Sequence, residues 1–547
     1  MAVITGRTSN LIARLGRAGR GAHVSRPPAI IWLPATLVAV AVLLPLVYLV
    51  LRTLGVGGEI WELLFRARTF AILGRTVGLV IAVTGISIAI SLPLAWLTAR
   101  TDLPLQRMWS VLTVLPLVIP SYVAGFIVVA ALGPRGMLQQ LLAVPFGLER
   151  LPEIYGFPGA TLTITMVTFP YVLITLQAAI RGLDPCLEEA SRSLGHGPWD
   201  TFRRVTLPQL RPAIAAGALL VSLYTLHDFG AVSLLRYETF TWAIYLQYQT
   251  SFDRTAAAAL SLILVVIAVV ILFTEVRTRG RAQYHRSSVG GARPPACAQL
   301  GRWRWPAFGF CSLVVLLSLV MPMSILGYWL GRGVAAGEPF QVVWSSALNS
   351  GYVAALAALA IVVAALPVAI LAVRYASRIS SLLERATYIG FALPGIVIAL
   401  ALVFFGANYA TPIYQTLGLL IFAYVILFLP QAIGAVRSSL LQVSPRVEEA
   451  ARSLGSTSWQ VLGRVTLPMI HRGILAGAAL VFLTTLKELP ATLILSPIGF
   501  KTLATSIWSA TSEAFFARAA VPALLLILIA SVPMAIIVTR ERREQHD

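Results

Sequence analysis

The sequence predicts an all-α polytopic membrane protein with about twelve membrane-spanning helices, arranged as two parallel repeats of six. Three observations support this fold class. Of the 547 residues, 58% are hydrophobic and only 12% are charged, and the mean hydropathy is +0.83. The apolar residues fall in runs close to the ~20 residues that a helix needs to cross a bilayer. A polar segment of the first half also recurs 260 residues later in the second half.

Six apolar runs precede the middle of the chain and six follow it. The predicted spans of the first half are residues 30–51, 77–98, 108–132, 160–180, 213–235 and 256–275. Those of the second half are residues 305–330, 349–373, 386–407, 416–436, 473–495 and 519–539. Several spans contain proline, and we interpret these as kinked helices, which neighbouring helices of a bundle tolerate.

The spans divide the chain into five parts. A basic segment, residues 1–29, which we expect to be cytoplasmic, precedes the first half, residues 30–275. Residues 276–304 are basic and rich in Pro and Gly, which is typical of a flexible linker. The second half covers residues 305–539, and residues 540–547 form a short tail. The first apolar run is longer than the core of a typical signal peptide, so we expect it to be retained as a span.

The net charge of +20 follows the membrane topology. With the N-terminus placed in the cytoplasm, 30 of the 42 Lys and Arg residues lie on the cytoplasmic side and 11 on the opposite side, while Lys487 lies inside a span. This is the positive-inside bias of membrane proteins. We therefore expect both termini and both repeated segments to be cytoplasmic, and we expect no nucleic-acid partner.

The repeated segment reads EEASRSLGHGPWDTFRRVTLP from Glu188 and EEAARSLGSTSWQVLGRVTLP from Glu448, with thirteen of twenty-one positions identical. Gly195 and Gly455 are placed to end a helix, and a second short helix is expected to start a few residues later. Loops that merely connect spans have no reason to stay alike. We therefore predict that both loops contact another protein and transmit its motion to the spans.

The chain carries no recognisable catalytic motif. Its only lysines are Lys487 and Lys501, and neither follows a glycine, which excludes a Walker A phosphate loop. The three cysteines are widely spaced, so the sequence assigns no metal site. We expect a protein that is not itself an enzyme and binds no cofactor. If ATP powers it, another subunit must bind the nucleotide.

The repeated segment resembles the EAA loop of permease subunits in binding-protein-dependent ABC importers. The resemblance implies a type I permease fold in each half, in a multi-pass protein of the bacterial inner membrane. It also implies two ATPase subunits, which bind ATP and Mg on the cytoplasmic side, and an extracytoplasmic substrate-binding protein. The loop residues that would couple to the ATPases are Glu188, Glu189, Ala190, Gly195, Leu207 and Pro208, with Glu448, Glu449, Ala450, Gly455, Leu467 and Pro468.

A second repeated element follows each loop: TLHDFGA ends at Ala231 and TLKELPA at Ala491. It places Asp228 and Glu488 at equivalent positions well inside predicted helices, where a charged side chain costs about 2.5–3.5 kcal/mol and normally faces an aqueous path. Carboxylates suit hard cations, which favours a cationic cargo. The alternative is a structural role in which the carboxylates pair with neighbouring polar groups. The further candidates for the path are Tyr224, His227 and Lys487.

The segments from Asp228 to Tyr245 and from Lys487 to Trp508 are similar to those of ferric-iron permeases, which are also commonly fused. Ferric iron is therefore the expected cargo. Thiamine permeases are the nearest alternative, and polyamine and sulfate permeases are more remote. A different class also remains open, a secondary transporter of two parallel repeats driven by an ion gradient.

Overall fold

The structure is a computed structural model that describes residues 27–54, 65–134, 136–147, 151–250, 255–278, 298–338 and 341–543. The basic N-terminal segment up to Arg26, most of the predicted linker and the last four residues of the tail lie outside the described residues. Within these ranges the regular elements are helices, and the strand-like pairing is a single bridge between Thr101 and Ala298. The predicted all-α class is confirmed.

Within the described residues, the first half contains twelve α-helices. They are α1 (Ala29–Leu54), α2 (Ala67–Arg100), α3 (Gln106–Leu112), α4 (Ser121–Leu132), α5 (Met137–Phe146), α6 (Phe157–Arg181), α7 (Pro185–Ser193), α8 (Pro198–Thr201), α9 (Leu207–His227), α10 (Gly230–Leu234), α11 (Phe240–Thr250) and α12 (Thr255–Thr278). A 3₁₀ turn, Leu115–Val118, separates α3 from α4, and a π-helical turn, Phe202–Thr206, joins α8 to α9.

The described part of the second half also contains twelve α-helices. It comprises α13 (Arg304–Val315), α14 (Met321–Ala335), α15 (Gln341–Arg374), α16 (Arg378–Ala392), α17 (Gly395–Tyr409), α18 (Leu417–Gln442), α19 (Pro445–Ser453), α20 (Ser458–Val461), α21 (Leu467–Leu486), α22 (Pro490–Leu495), α23 (Leu503–Ser512) and α24 (Phe516–Arg543). π-helical turns precede α14 and α21. In all three π turns a proline follows two residues later, and its missing N–H disturbs the regular ladder of hydrogen bonds.

Within the described residues, ten helices are long and apolar enough to cross a membrane, and an eleventh crossing arises if the bent pair α16 and α17 counts as one. Helix α24 adds a shorter apolar stretch, Phe516–Ser531. Each of the twelve predicted spans overlaps one of these segments. The polytopic architecture with two repeats is therefore confirmed.

Four predicted spans are not continuous helices. Span 108–132 is interrupted before Pro120, and span 386–407 bends by 99° before Pro394. Proline has no N–H and keeps the preceding residue out of the helical region, and Ile119 and Leu393 are indeed extended, with ψ of 118° and 124°. Spans 213–235 and 473–495 end early, at His227 and Leu486, and resume as the short helices α10 and α22.

The first helix of each half packs on the other half. Helix α1 lies against α15, α16 and α17, whereas α13 joins the apolar cluster of the first half, where Phe308 packs edge-on against Trp109 at 5.2 Å. The end of the linker follows α13 onto the first half, since the Ala298 amide donates to the Arg100 carbonyl at 2.8 Å. The two halves are therefore interlocked.

The remaining bundles meet through α4 with α23 and α24, and through α17 with α11 and α12. Aromatic side chains fill this interface: Phe126 stacks on Phe516 with ring centroids 5.4 Å apart, and Phe229 lies 5.1 Å from Trp508. Phe126 lies on α4, which begins at the break before Pro120, and Phe229 lies in the break before α10, so the broken helices supply one side of each contact.

Candidate functional site

The two repeated loops adopt the same conformation. In each, a nine-residue helix, α7 or α19, ends at a glycine, and a one-turn helix, α8 or α20, follows. Gly195 and Gly455 both have φ of +86°, a value that side-chain-bearing L residues rarely adopt. The predicted helix, glycine turn and second helix are therefore confirmed, and the glycine is required by the backbone at both places.

The first glutamate of each loop is tied to a long membrane helix. Glu448 accepts hydrogen bonds from Arg374, at the end of α15, with Nε–Oε1 and Nη2–Oε1 distances of 3.0 and 2.9 Å. The Thr466 hydroxyl donates to the same oxygen at 3.2 Å. Both charged side chains are nearly buried, with 7% of Glu448 and 11% of Arg374 exposed. This glutamate therefore anchors its loop to α15.

The first half repeats the anchor. Arg100 ends α2 and lies 3.5 Å from Glu188, and the Thr206 hydroxyl donates to that carboxylate at 2.9 Å. Helices α2 and α15 are both 34 residues long and run from the opposite face of the bundle to these arginines. Each loop is thereby joined by an ion pair to a helix that is long and apolar enough to cross the membrane.

The second glutamate of each loop points the other way. Glu189 and Glu449 are exposed, as are the adjacent Ala190 and Ala450. Four large apolar side chains of the loops are exposed beside them, by between 59% and 87%; they are Leu194, Trp199, Leu454 and Trp459. Exposed apolar groups grouped with charges on a polar loop indicate a surface that another protein covers.

Sequence reasoning missed the two arginine anchors and the exposed leucines. The leucines are among the thirteen identities of the repeated segment, so the repeat itself could have identified them. The arginines follow a second, weaker repeat, in which SLPLAWLTAR ending at Arg100 matches ALPVAILAVR ending at Arg374 at five of ten positions. Its two copies are 274 residues apart, whereas the copies of the loop are 260 residues apart. Comparing positions at a fixed separation of 260 residues therefore does not reveal it.

Leu207, Pro208, Leu467 and Pro468 lie at the first turn of α9 and α21, directly after the π-helical turns. Leu207, Pro208 and Leu467 are partly buried, and Pro468 is exposed. Proline fits the first turn of a helix because its missing N–H needs no partner there. These residues therefore form the junction between loop and membrane helix.

Asp228 and Glu488 lie at helix breaks, which corrects the prediction that they sit well inside helices. The Asp228 carboxylate accepts from the amides of Ala231 and Val232 at 3.0 and 3.3 Å, and Glu488 accepts from Ala491 at 3.1 Å. Each carboxylate thus caps the short helix that follows it, where amide donors have no intrahelical partner. Sequence hydropathy does not reveal such breaks, because apolar residues stand on both sides.

The two caps are built with different residues of similar combined size. Ser121, at the start of α4, is a hydrogen-bond partner of Asp228. The equivalent position in the second half is Gly395, where an added Cβ would lie 2.6 Å from the Glu488 Oε1 atom. The shorter side chain, Asp228, thus lies beside the larger residue, Ser121, and the longer side chain, Glu488, lies beside Gly395. This complementarity favours the structural alternative for the two carboxylates.

The other candidates of the path lie on the same helices. The Lys487 ammonium donates to the Leu117 carbonyl at 2.8 Å, which joins the second half to the first. Tyr224 packs against Tyr171 with ring centroids 5.8 Å apart, and His227 is partly buried at the end of α9. Within the described residues no group of three or more His, Cys, Asp or Glu could hold a metal ion.

Known proteins similar to this chain are membrane transport components. The family described as binding-protein-dependent transport system inner membrane component matches it twice, over residues 91–277 and 365–543. The Fe(3+)-transport system permease protein FbpB 2 of Haemophilus influenzae is 37% identical over 93% of this chain and 98% of its own length. A putative ferric transport system permease protein of the same organism, FbpB 1, is 25% identical over 77% of this chain and 68% of its own length. The molybdenum transport system permease protein ModB of Escherichia coli is 32% identical over 36% of this chain and 90% of its own length.

Proposed function

Because the chain belongs to the family of binding-protein-dependent transport system inner membrane components, as a permease with both halves fused, we propose that its cargo is ferric iron. One observation carries this proposal: the Fe(3+)-transport relative aligns with both halves over nearly its whole length, whereas the molybdenum relative aligns with little more than one third of the chain. The carboxylates of the broken helices do not contribute to the argument, since both serve as helix caps.

Membership of this permease family argues against the alternative of a secondary transporter driven by an ion gradient. The energy for transport would then come from another subunit. We infer that two ATPase subunits bind ATP and Mg and dock on the two cytoplasmic loops. The exposed leucine and tryptophan of each loop supply apolar area for a partner's cleft, and Glu189 and Glu449 supply a charge beside it. An extracytoplasmic binding protein would deliver the cargo on the opposite face.

The anchors explain how docking acts on the bundle. When the ATPase subunits close, they move the loops, and the Glu188–Arg100 and Glu448–Arg374 ion pairs pass the motion to α2 and α15. Nearly buried ion pairs with additional hydrogen bonds hold their geometry better than exposed ones. Each loop and its long helix therefore move together, which rotates the halves about the path between them in an alternating-access cycle.

Uptake by a reconstituted complex tests this function. The chain is placed in liposomes with its ATPase subunits, the matching binding protein is added, and uptake of ferric iron, thiamine and molybdate is compared with ATP or a non-hydrolysable analogue inside the compartment that the ATPases face. Ferric iron is expected to accumulate only with ATP. ATP-dependent accumulation of thiamine or molybdate without iron would refute the cargo assignment and leave the permease assignment intact.

A further inference from the structure

Lys487 makes a polar contact between the two halves in the middle of the molecule. It is one of only two lysines in the chain, and it lies at the end of α21, just before the break at Glu488. Its ammonium donates to the Leu117 carbonyl at 2.8 Å, across 370 residues of sequence. A cation this far inside an apolar bundle is costly unless it has a defined partner and a function.

The partner carbonyl is available because of proline. Leu117 belongs to the 3₁₀ turn before α4, in which each carbonyl accepts from the amide three residues later. The Ile119 amide donates to Pro116 in this way, but the donor that Leu117 would use is Pro120, which has no N–H. The same proline that breaks the helix therefore leaves a carbonyl for Lys487, and an unpaired buried carbonyl would be unfavourable.

The layer around this contact is not fully satisfied. The hydroxyls of Tyr122 and Thr485 are buried and have no hydrogen-bond partner within the described part of the chain. Tyr122 follows Pro120 by two residues, and Thr485 precedes Lys487 by two. Unpaired buried polar groups destabilise the state that buries them. These two hydroxyls therefore weaken the closed arrangement of this layer, in which the Lys487–Leu117 hydrogen bond is a polar contact between the halves.

The counterpart of Lys487 in the first half is His227, and the residue three positions before Pro394 is Phe391. The pseudo-symmetry thus places a histidine where the second half has a lysine. The two halves therefore carry different basic residues at one equivalent position of the same layer. At the pseudo-symmetric positions, Lys487 and Leu117 thus correspond to His227 and Phe391.

We propose that Lys487 is a latch that holds the two halves together at the level of the helix breaks, and that it must release the Leu117 carbonyl before cargo passes. This inference rests on the proposed transport function for its purpose, but the contact itself is independent of which cargo is carried. Lys487 acts as a positioning residue: it sets the balance between closed and open arrangements of the halves.

The test compares Lys487→Met with Lys487→Arg, which keeps a charged donor. Lys501→Met is the matched control, because it removes the other lysine, whose side chain is exposed. Asn349 donates to the backbone carbonyl of Lys501, and the substitution keeps that carbonyl. Two readouts are used: hydrolysis of ATP by the assembled complex without binding protein, and the yield of a short thiol cross-linker between cysteines placed at Phe126 and Phe516, which stack across the halves. The native cysteines are first replaced by serine.

Losing a hydrogen bond to a charged group shifts such an equilibrium roughly tenfold. Lys487→Met is therefore expected to lower the cross-linking yield and to raise ATP hydrolysis in the absence of binding protein severalfold, while Lys487→Arg and Lys501→Met behave like the parent. Should Lys487→Met fail to fold, Lys487→Leu, which also has no hydrogen-bond donor, takes its place in the comparison. Unchanged cross-linking and unchanged hydrolysis in the Met or Leu variant would overturn the latch. The cross-linking needs no cargo, so it remains decisive even if the cargo is not iron.

Discussion

Two adjacent glutamates in each loop have opposite environments, which a sequence motif alone does not reveal. Glu448 is nearly buried against Arg374, whereas Glu449 is exposed on the surface that a partner would cover. Glu448 therefore holds the loop to the bundle, and we expect Glu449 to contact another subunit. A change at one position is expected to affect stability, and the same change at the next is expected to affect assembly.

Glu448→Ala leaves Arg374 unpaired in a nearly buried site, and breaking one partner of a buried ion pair costs about 3–5 kcal/mol. The purified variant is expected to unfold at a clearly lower temperature than the parent in detergent, as measured by the loss of its monodisperse chromatographic peak after heating. Glu449→Ala is the control: it is expected to retain the parent's unfolding temperature and to co-purify less ATPase. Equal unfolding temperatures for the two variants would contradict the anchor.

Gly395 and Glu488 complement each other in size, as Ser121 and Asp228 do. Gly395→Ser places a Cβ 2.6 Å from the Glu488 carboxylate, and overpacking of this kind costs about 1–3 kcal/mol. Glu488→Asp alone shortens the cap and weakens it. The double variant reproduces the first half's arrangement. Its loss of stability is therefore expected to be smaller than the sum of the losses in the two single variants.

A double-mutant cycle of unfolding temperatures measures this coupling. Gly434→Ala, at a helical glycine where an added Cβ meets nothing within 4 Å, shows the effect of a substitution without the contact. Strictly additive effects of Gly395→Ser and Glu488→Asp would show that the two residues do not form one unit.

Among the elements, the loops were the most predictable and the broken helices the least. The loop helices begin and end with residues whose preferences are local, namely proline at the first turn and glycine at the end, so sequence alone places them well. The breaks at Asp228 and Glu488 depend on a carboxylate capping a helix inside the bundle. Average hydropathy is the same on both sides of such a break, and the sequence therefore predicts a continuous span.

The glycine turns test the loops as mechanical elements. Gly195→Asp with Gly455→Asp forces a non-glycine residue to φ of +86°, although an added Cβ would meet nothing within 4 Å. Left-handed backbone costs such residues roughly 1–2 kcal/mol each, so the turns are expected to rearrange. Uptake is expected to be lost and ATPase association weakened, while insertion into the membrane is unchanged.

Gly197→Asp is the matched control, since it makes the same substitution two residues later, at an ordinary φ of −66° with no neighbour within 4 Å. Aspartate is also favourable there, because Gly197 occupies the N-cap of α8. Uptake comparable to the parent in the double Gly195→Asp, Gly455→Asp variant would refute the role of the loops in transmitting motion.

The whole molecule is interlocked in a way that the sequence did not predict. Its division into two halves follows from the repeat, but the packing of α1 on the second half and of α13 on the first depends on contacts between distant residues. Both helices are uniformly apolar, and composition does not specify which bundle covers them. Neither half can therefore bury all its apolar surface alone.

Splitting the chain inside the linker tests this interlocking. Residues 1–287 and 288–547, each produced alone, are expected to aggregate or to be degraded. The first fragment lacks α13, which packs in the apolar cluster of the first half, and the second lacks α1, which packs on α15. Produced together, they are expected to co-purify as a complex of one copy each. A first half that is stable and monodisperse by itself would contradict the exchange of first helices.

ATP-dependent accumulation of ferric iron in liposomes tests the account as a whole. The fused permease, supplied with a binding protein, is compared with and without its ATPase subunits. We expect iron to accumulate only when the ATPase subunits are present and ATP is hydrolysed, because we assign nucleotide binding to those subunits and the path and the loops to this chain. Accumulation by the permease without any ATPase subunit would contradict it.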